Sequence, residues 1–126
     1  MLKILTLVGI GGAIGSIARF LSSQYVQRLF ISSGFPYGTL VVNIAGCLIV
    51  GIVYGLSERF NWLGPEWRIF LTTGFCGGFT TFSTFSYESV ALIRDYEFFY
   101  AAMNIAVSVI IGFAATYLGI SITKII

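Results

Sequence analysis

The chain has no histidine among its 126 residues, only two cysteines and two prolines, and just 10% of its side chains are charged. Ordinary globular domains carry roughly 25% charged residues, so a soluble domain with a polar surface is excluded. Without histidine, and with no nucleophile that has a base near it in the sequence, enzymatic catalysis is not expected. No metal-ligand cluster is present, and no nucleic-acid partner is expected from so few charges. Cys47 and Cys76 both fall inside apolar stretches, where they read as small packed thiols rather than as a disulfide.

What is there is apolar surface: 57% of the residues are hydrophobic and the mean hydropathy is +0.94. A spanning helix needs about 20 mostly apolar residues. The sequence supplies four such stretches and leaves almost nothing for a soluble domain. It reads as an all-α integral membrane protein, a single transmembrane domain over residues 1–126 with helices at about 3–30, 39–57, 67–94 and 98–124. The third is expected to break near 75–80. The connectors carry turn chemistry, Ser32-Ser33-Gly34-Phe35-Pro36 in the first and Asn61-Trp62-Leu63-Gly64-Pro65 in the second. Trp62, Trp67, Tyr96 and Tyr100 fall near helix ends, as interfacial aromatics do. Lys3 ahead of an apolar run, with Ser16-Ile17-Ala18 beyond, resembles a signal peptide. Cleavage there would destroy the first helix, and the spanning reading is preferred.

Alternating helices put both termini on one side with the second loop. That side holds Lys3, Arg59, Arg68 and Lys124, against Arg28 and Arg94 on the other. Orientation follows such asymmetry, and a bias this small lets the chain insert either way. Two copies could then assemble antiparallel, in dual topology. Four short helices offer too little wall to surround an aqueous path, which favours a homo-oligomer, most simply a two-fold dimer. Small residues spaced by four, Gly11 and Gly15, then Cys47, Gly51 and Gly55, then Gly112 and Thr116, allow close helix contact, within a subunit or between subunits.

The polar residues within the spans are few. Asn43 heads the stripe that continues through Cys47, Gly51 and Gly55. Its amide either bridges helices or donates to a passing anion. Arg19 shares a face with Gly11 and Gly15 and points toward a helix contact or a vestibule, and Glu88 either pairs with it or caps a helix through water. Around them Gly74 to Ser86 reads GFCGGFTTFSTFS. Phe79, Phe82 and Phe85 repeat every three residues, which is compatible with packing. The company of Thr80, Thr81, Ser83, Thr84 and Ser86 is denser in hydroxyls than packing requires. Ring edges carry positive partial charge, so phenyl edges with amide and hydroxyl donors could replace water around a small hard anion. Gly77-Gly78 permits a break that either kinks the helix for packing or exposes carbonyls able to hold a cation.

Three segments carry a family likeness: Gly38-Thr39-Leu40-Val41-Val42-Asn43, Gly12-x-x-Gly15-x-x-x-Arg19, and Gly74-Phe-Cys-Gly-Gly-Phe-Thr-Thr-Phe-Ser-Thr-Phe. In these motifs, their order, its length and its four helices, the whole chain resembles the Fluc/CrcB fluoride channel family. The resemblance implies an antiparallel, dual-topology homodimer in the lipid of the bacterial inner membrane, with two pores through which fluoride leaves the cell passively. It implies that Asn43 donates to fluoride, that Phe82 and Phe85 line the path with their edges, and that Ser83, Thr84 and Ser108 add polar contacts. Arg19, Thr39 and Glu88 would flank the path or its vestibule. The carbonyls of Gly77 and Thr80 from both subunits would hold a structural Na⁺ on the two-fold. In helix four Asn104 and Ser108 could continue a polar track, but Gly112 brings no hydroxyl at the next turn.

The competing reading is a proton-coupled exporter resembling the small multidrug resistance family, of similar size and topology. That mechanism needs a carboxylate midway along helix one, where this chain has Ala13, Ile14 and Gly15 and then Arg19.

Overall fold

A computed structural model describes residues 1–60 and 63–126; the expected roles of Asn61 and Trp62 lie outside the described residues. The chain is all-helical, with no strand among the described residues. Helix α1 (Leu2–Leu29) is followed by α2 (Tyr37–Arg59). Next come the short α3 (Pro65–Ile69), a π-helical stretch (Phe70–Cys76) and α4 (Gly77–Phe79), which run on without interruption. Thr80 and Thr81 are extended (φ −93°, ψ 157° and φ −148°, ψ 117°), and the chain then re-enters a helix as α5 (Phe82–Arg94). Helix α6 (Phe98–Ile125) closes the fold.

Three of these helices, α1, α2 and α6, are long and apolar enough to cross a membrane. Only 11% of the most apolar window of α1, and of α6, is buried inside the subunit. Apolar helices so little covered must face lipid or another chain, and the protein is a multi-pass membrane protein. Two contacts fix which ends lie together. Lys3 Nζ is 3.1 Å from Glu66 Oε2, joining the start of α1 to α3. Arg59 Nη1 donates to the Thr123 carbonyl at 2.8 Å, joining the last residue of α2 to the last turn of α6. Both termini therefore share an end with the connector before α3.

Between apolar helices in lipid, close van der Waals contact at small residues replaces the hydrophobic effect as the cohesive force. A Cβ on Gly11 would lie 2.8 Å from the Phe70 carbonyl oxygen, and one on Gly15 would run into that of Phe75. Both glycines thus seat α1 directly on the π-helical stretch. Gly51 meets the backbone of Thr116, Gly55 the side chain of Thr123, and Gly119 the backbone of Leu48 and Ile52, which locks α2 to α6. The expected small-residue stripes are consequently used inside the subunit and carry no argument for a second copy.

The first connector is held by Gln27, whose Nε2 donates to the Phe35 carbonyl (3.2 Å) and whose Oε1 accepts from Gly38 N–H (3.0 Å). Helix α5 ends with Tyr96 in the left-handed region (φ 61°). The Tyr96 and Glu97 N–H groups reach back to the Ile93 and Leu92 carbonyls, the closing pattern usually made by glycine. Trp67, Tyr96 and Tyr100 stand exposed near helix ends, and both cysteines are free.

Candidate functional site

The site is organised by the two extended residues between α4 and α5. In a continuous helix the Thr81 N–H would bond to the Gly77 carbonyl and the Thr84 N–H to that of Thr80. Here Thr81 N–H donates to Asn43 Oδ1 (2.9 Å), and Asn43 Nδ2 returns a bond to the Thr81 carbonyl (3.1 Å). Thr84 N–H is taken by the Thr81 hydroxyl at 3.1 Å, an N-cap for α5. The carbonyls of Gly77 and Thr80 are thereby released from their helical donors. The Gly78 carbonyl accepts from Arg19 Nε at 3.0 Å. The glycine pair itself stays helical; Gly78 lets the chain approach α1, where a Cβ would strike the Gly12 carbonyl. The chain leaves the helix at Thr80, at the edge of the segment expected from the glycines.

Asn43, Phe82, Phe85 and Ser108 come together around one cavity of about 400 Å³, bounded also by Cys47 and Thr116. The Phe82 and Phe85 rings are 5.8 Å apart and inclined at 53°. Phe79, the third ring of the repeat, instead stacks on Phe75 at 5.4 Å and is buried. The Asn43 amide offers two N–H donors and uses one on Thr81, so its second remains for the cavity. The Ser108 hydroxyl is buried without a hydrogen-bond partner, a costly state unless something polar visits it. Phe82 is 79% exposed on the isolated subunit, so this cavity lacks a wall on one side.

Ser83 and Thr84 lie apart from that group. With Arg19, Gly77, Thr80 and Phe82 they line a neighbouring, predominantly polar recess of about 380 Å³. Phe82 borders both. Glu88 faces a third cavity, of about 410 Å³, beneath the first connector, with Gln24, Gln27 and Asp95. One of its carboxyl oxygens is buried with no partner, and Thr39 is buried in the first turn of α2.

Two sequence expectations are corrected. Arg19 is not paired with Glu88: its partner is the Gly78 carbonyl, and among the described residues the ion pair is Lys3–Glu66. A carbonyl freed by the change of backbone direction provides the nearby acceptor that the carboxylate was expected to be. Asn104 does not extend a polar track. It is 1% exposed and donates to Ser89 Oγ at 3.0 Å, tying α6 to α5. Thr116, four residues beyond Gly112, bonds to the Cys47 carbonyl at 3.1 Å and the Gly112 carbonyl at 3.3 Å. Thr81, which the sequence presented only as one hydroxyl among several, both receives Asn43 and caps α5. Its signal was Thr81 standing three residues before Thr84 at a helix start.

A family model described as CrcB-like protein, Camphor Resistance (CrcB), matches residues 6–120. The chain is 46% identical over 120 residues to a fluoride-specific ion channel FluC of Chlorobium phaeobacteroides (strain BS1), covering 95% of this chain and 92% of that one. It is 48% identical over 124 residues to a protein of the same description from Azobacteroides pseudotrichonymphae genomovar. CFP2, covering 98% of each. Another from Geobacter metallireducens is 48% identical over 118 residues, 92% of this chain and 94% of that one.

Proposed function

Because the chain belongs to the CrcB family, we propose that it is a fluoride-selective ion channel, and not an enzyme, which lets fluoride leave a bacterial cell passively across the inner membrane. The observation that carries this reading is the cavity where Asn43, Phe82, Phe85 and the unpartnered Ser108 hydroxyl meet. A halide that sheds water needs donors in its place. The second Asn43 N–H, the Ser108 hydroxyl and the positive edges of two phenyl rings supply them without a fixed cation that would trap the ion. Arg19 keeps N–H donors beyond the one used on Gly78, and with Ser83 and Thr84 it forms a polar recess where an anion is drawn in before dehydration. Glu88 and Thr39 flank the path at its other end.

The missing wall supports an assembly. Phe82 and Gly77 stand exposed on the single subunit, and a second copy would close both. Cations are nearly balanced between the two ends, Lys3, Arg59, Arg68 and Lys124 against Arg28 and Arg94, which suits an antiparallel, dual-topology homodimer with two paths. Such a dimer would bring together the freed carbonyls of Gly77 and Thr80 from each copy. Backbone oxygens without N–H donors are hard ligands that fit a structural Na⁺.

In proteoliposomes loaded with fluoride or chloride, fast passive efflux is expected for fluoride alone; equal leakage of both defeats the reading. Phe82→Ile removes a ring edge while keeping apolar bulk and is expected to slow fluoride by about tenfold, the equivalent of one lost contact of ~1.4 kcal/mol. Unchanged flux in that variant would reduce Phe82 to packing. Replacing all Na⁺ by a bulky organic cation is expected to abolish efflux, and persistence of full efflux after exhaustive exchange would remove the ion from the assembly.

A further inference from the structure

The end of the molecule where α2 and α6 finish together carries a groove that the permeation path does not use. Its volume is about 400 Å³, and it is lined by Gly55, Glu58, Arg59, Ile120, Thr123 and Lys124. Gly55 lets α2 and α6 close on each other here, since a Cβ there would run into the Thr123 hydroxyl. Arg59 is held in place by its bond to the Thr123 carbonyl (2.8 Å) and by the Phe60 ring, whose centroid lies 5.3 Å from the guanidinium carbon. A guanidinium has five N–H donors, and this anchoring leaves others open. Glu58 and Lys124 are exposed at the same groove.

Among the described residues these three charges form no ion pair with one another within 4.0 Å; the pair found is Lys3–Glu66, at a different contact. Two cations and one carboxylate that share a groove without pairing fit a ligand that carries both signs. The groove sits at the last turns of two spanning helices, α2 at Arg59 and α6 at Ile125, which is the depth of lipid headgroups. A phosphodiester there would meet Arg59 and Lys124. An ammonium one short linker away would meet Glu58.

We propose that this groove binds the phosphoethanolamine headgroup of a membrane phospholipid, with phosphate on Arg59 and Lys124 and the ammonium on Glu58. The proposal depends on the membrane placement of the two helices and not on which ion the protein conducts.

The test is native mass spectrometry of the delipidated, full-length protein, titrated with phosphatidylethanolamine, phosphatidylcholine and phosphatidylglycerol of identical acyl chains, and with inorganic phosphate alone. Phosphatidylethanolamine is expected to bind roughly three- to fivefold more tightly than phosphatidylcholine, whose ammonium has no N–H to donate, as suits one partly exposed charge contact. Lys124→Gln should weaken binding of every phospholipid. Glu58→Gln should erase the preference for ethanolamine and strengthen binding of phosphatidylglycerol. Equal occupancy by all three headgroups, an ethanolamine preference that survives Glu58→Gln, or inorganic phosphate binding as tightly as lipid would each overturn the proposal. Fluoride efflux from the same preparations is expected to match the unsubstituted protein, so failure of the channel reading and failure of this one are seen separately.

Discussion

Replacing Asn43 by leucine is expected to reduce fluoride efflux by at least ten- to a hundredfold, because an amide hydrogen bond to a charged partner is worth about 1.5–3 kcal/mol. Asn43 also satisfies both backbone groups of Thr81, at 2.9 and 3.1 Å. Leucine leaves that N–H and that carbonyl unpaired, at about 1–3 kcal/mol each, so loss of structure must be distinguished from loss of a donor. Asn43→Asp makes the distinction. Its carboxylate still accepts from Thr81 N–H and leaves only the Thr81 carbonyl without its donor, where leucine leaves both groups unpaired, and it offers the ion a negative charge in place of a donor. The aspartate variant should therefore elute from size-exclusion chromatography like the parent and conduct nothing. If either variant retains efflux within twofold of the parent, Asn43 has no part in permeation.

The second large effect is on folding. Gly15→Ala places a Cβ against the Phe75 carbonyl, with the Phe75 carbon and the Phe79 nitrogen each 3.0 Å away. All of these are backbone atoms with no rotamer through which to yield. Overpacking of this kind costs about 1–3 kcal/mol, and we expect the upper part of that range in reversible unfolding in detergent. Two neighbours serve as controls. A Cβ on Gly12 meets its nearest atom at 3.8 Å and one on Gly9 meets nothing within 4 Å. Alanine is favoured over glycine in a helix by about 1 kcal/mol, so Gly9→Ala and Gly12→Ala should be neutral or stabilising. Equal destabilisation by all three substitutions would mean that α1 is not seated on the π-helical stretch in this way.

The contrast between Gly12 and Gly15 shows what could and could not be read from the residues. Apolar length alone located α1, α2 and α6, because nothing but a membrane absorbs 28 residues such as Leu2–Leu29 or Phe98–Ile125. Which glycines touch a neighbour depends on the partner's backbone, and the π-helical Phe70–Cys76 that receives Gly11 and Gly15 left no local mark. The same holds at the extended pair. Gly77-Gly78 drew attention because glycine permits a break, yet both residues lie in α4. The chain departs from the helix at Thr80 and Thr81, where an amide 38 residues earlier takes the Thr81 N–H. A hydrogen bond of that span has no local signature.

Candidate site residues were legible as types and less so as neighbours. Asn43, Phe82, Phe85 and Ser108 do share a cavity, whereas Arg19 and Asn104 found partners, Gly78 and Ser89, that charge matching and helical spacing did not suggest. In both cases geometry created by the non-helical residues or by the α5 to α6 contact decided the outcome.

The reciprocal clasp between Asn43 and Thr81 has one more implication. Since both backbone groups of Thr81 are satisfied from within the same subunit, the shape of this segment does not rely on an occupant to maintain it. For the proposed channel, a departing fluoride leaves behind a berth already formed for its successor, and no refolding step intervenes between one ion and the next.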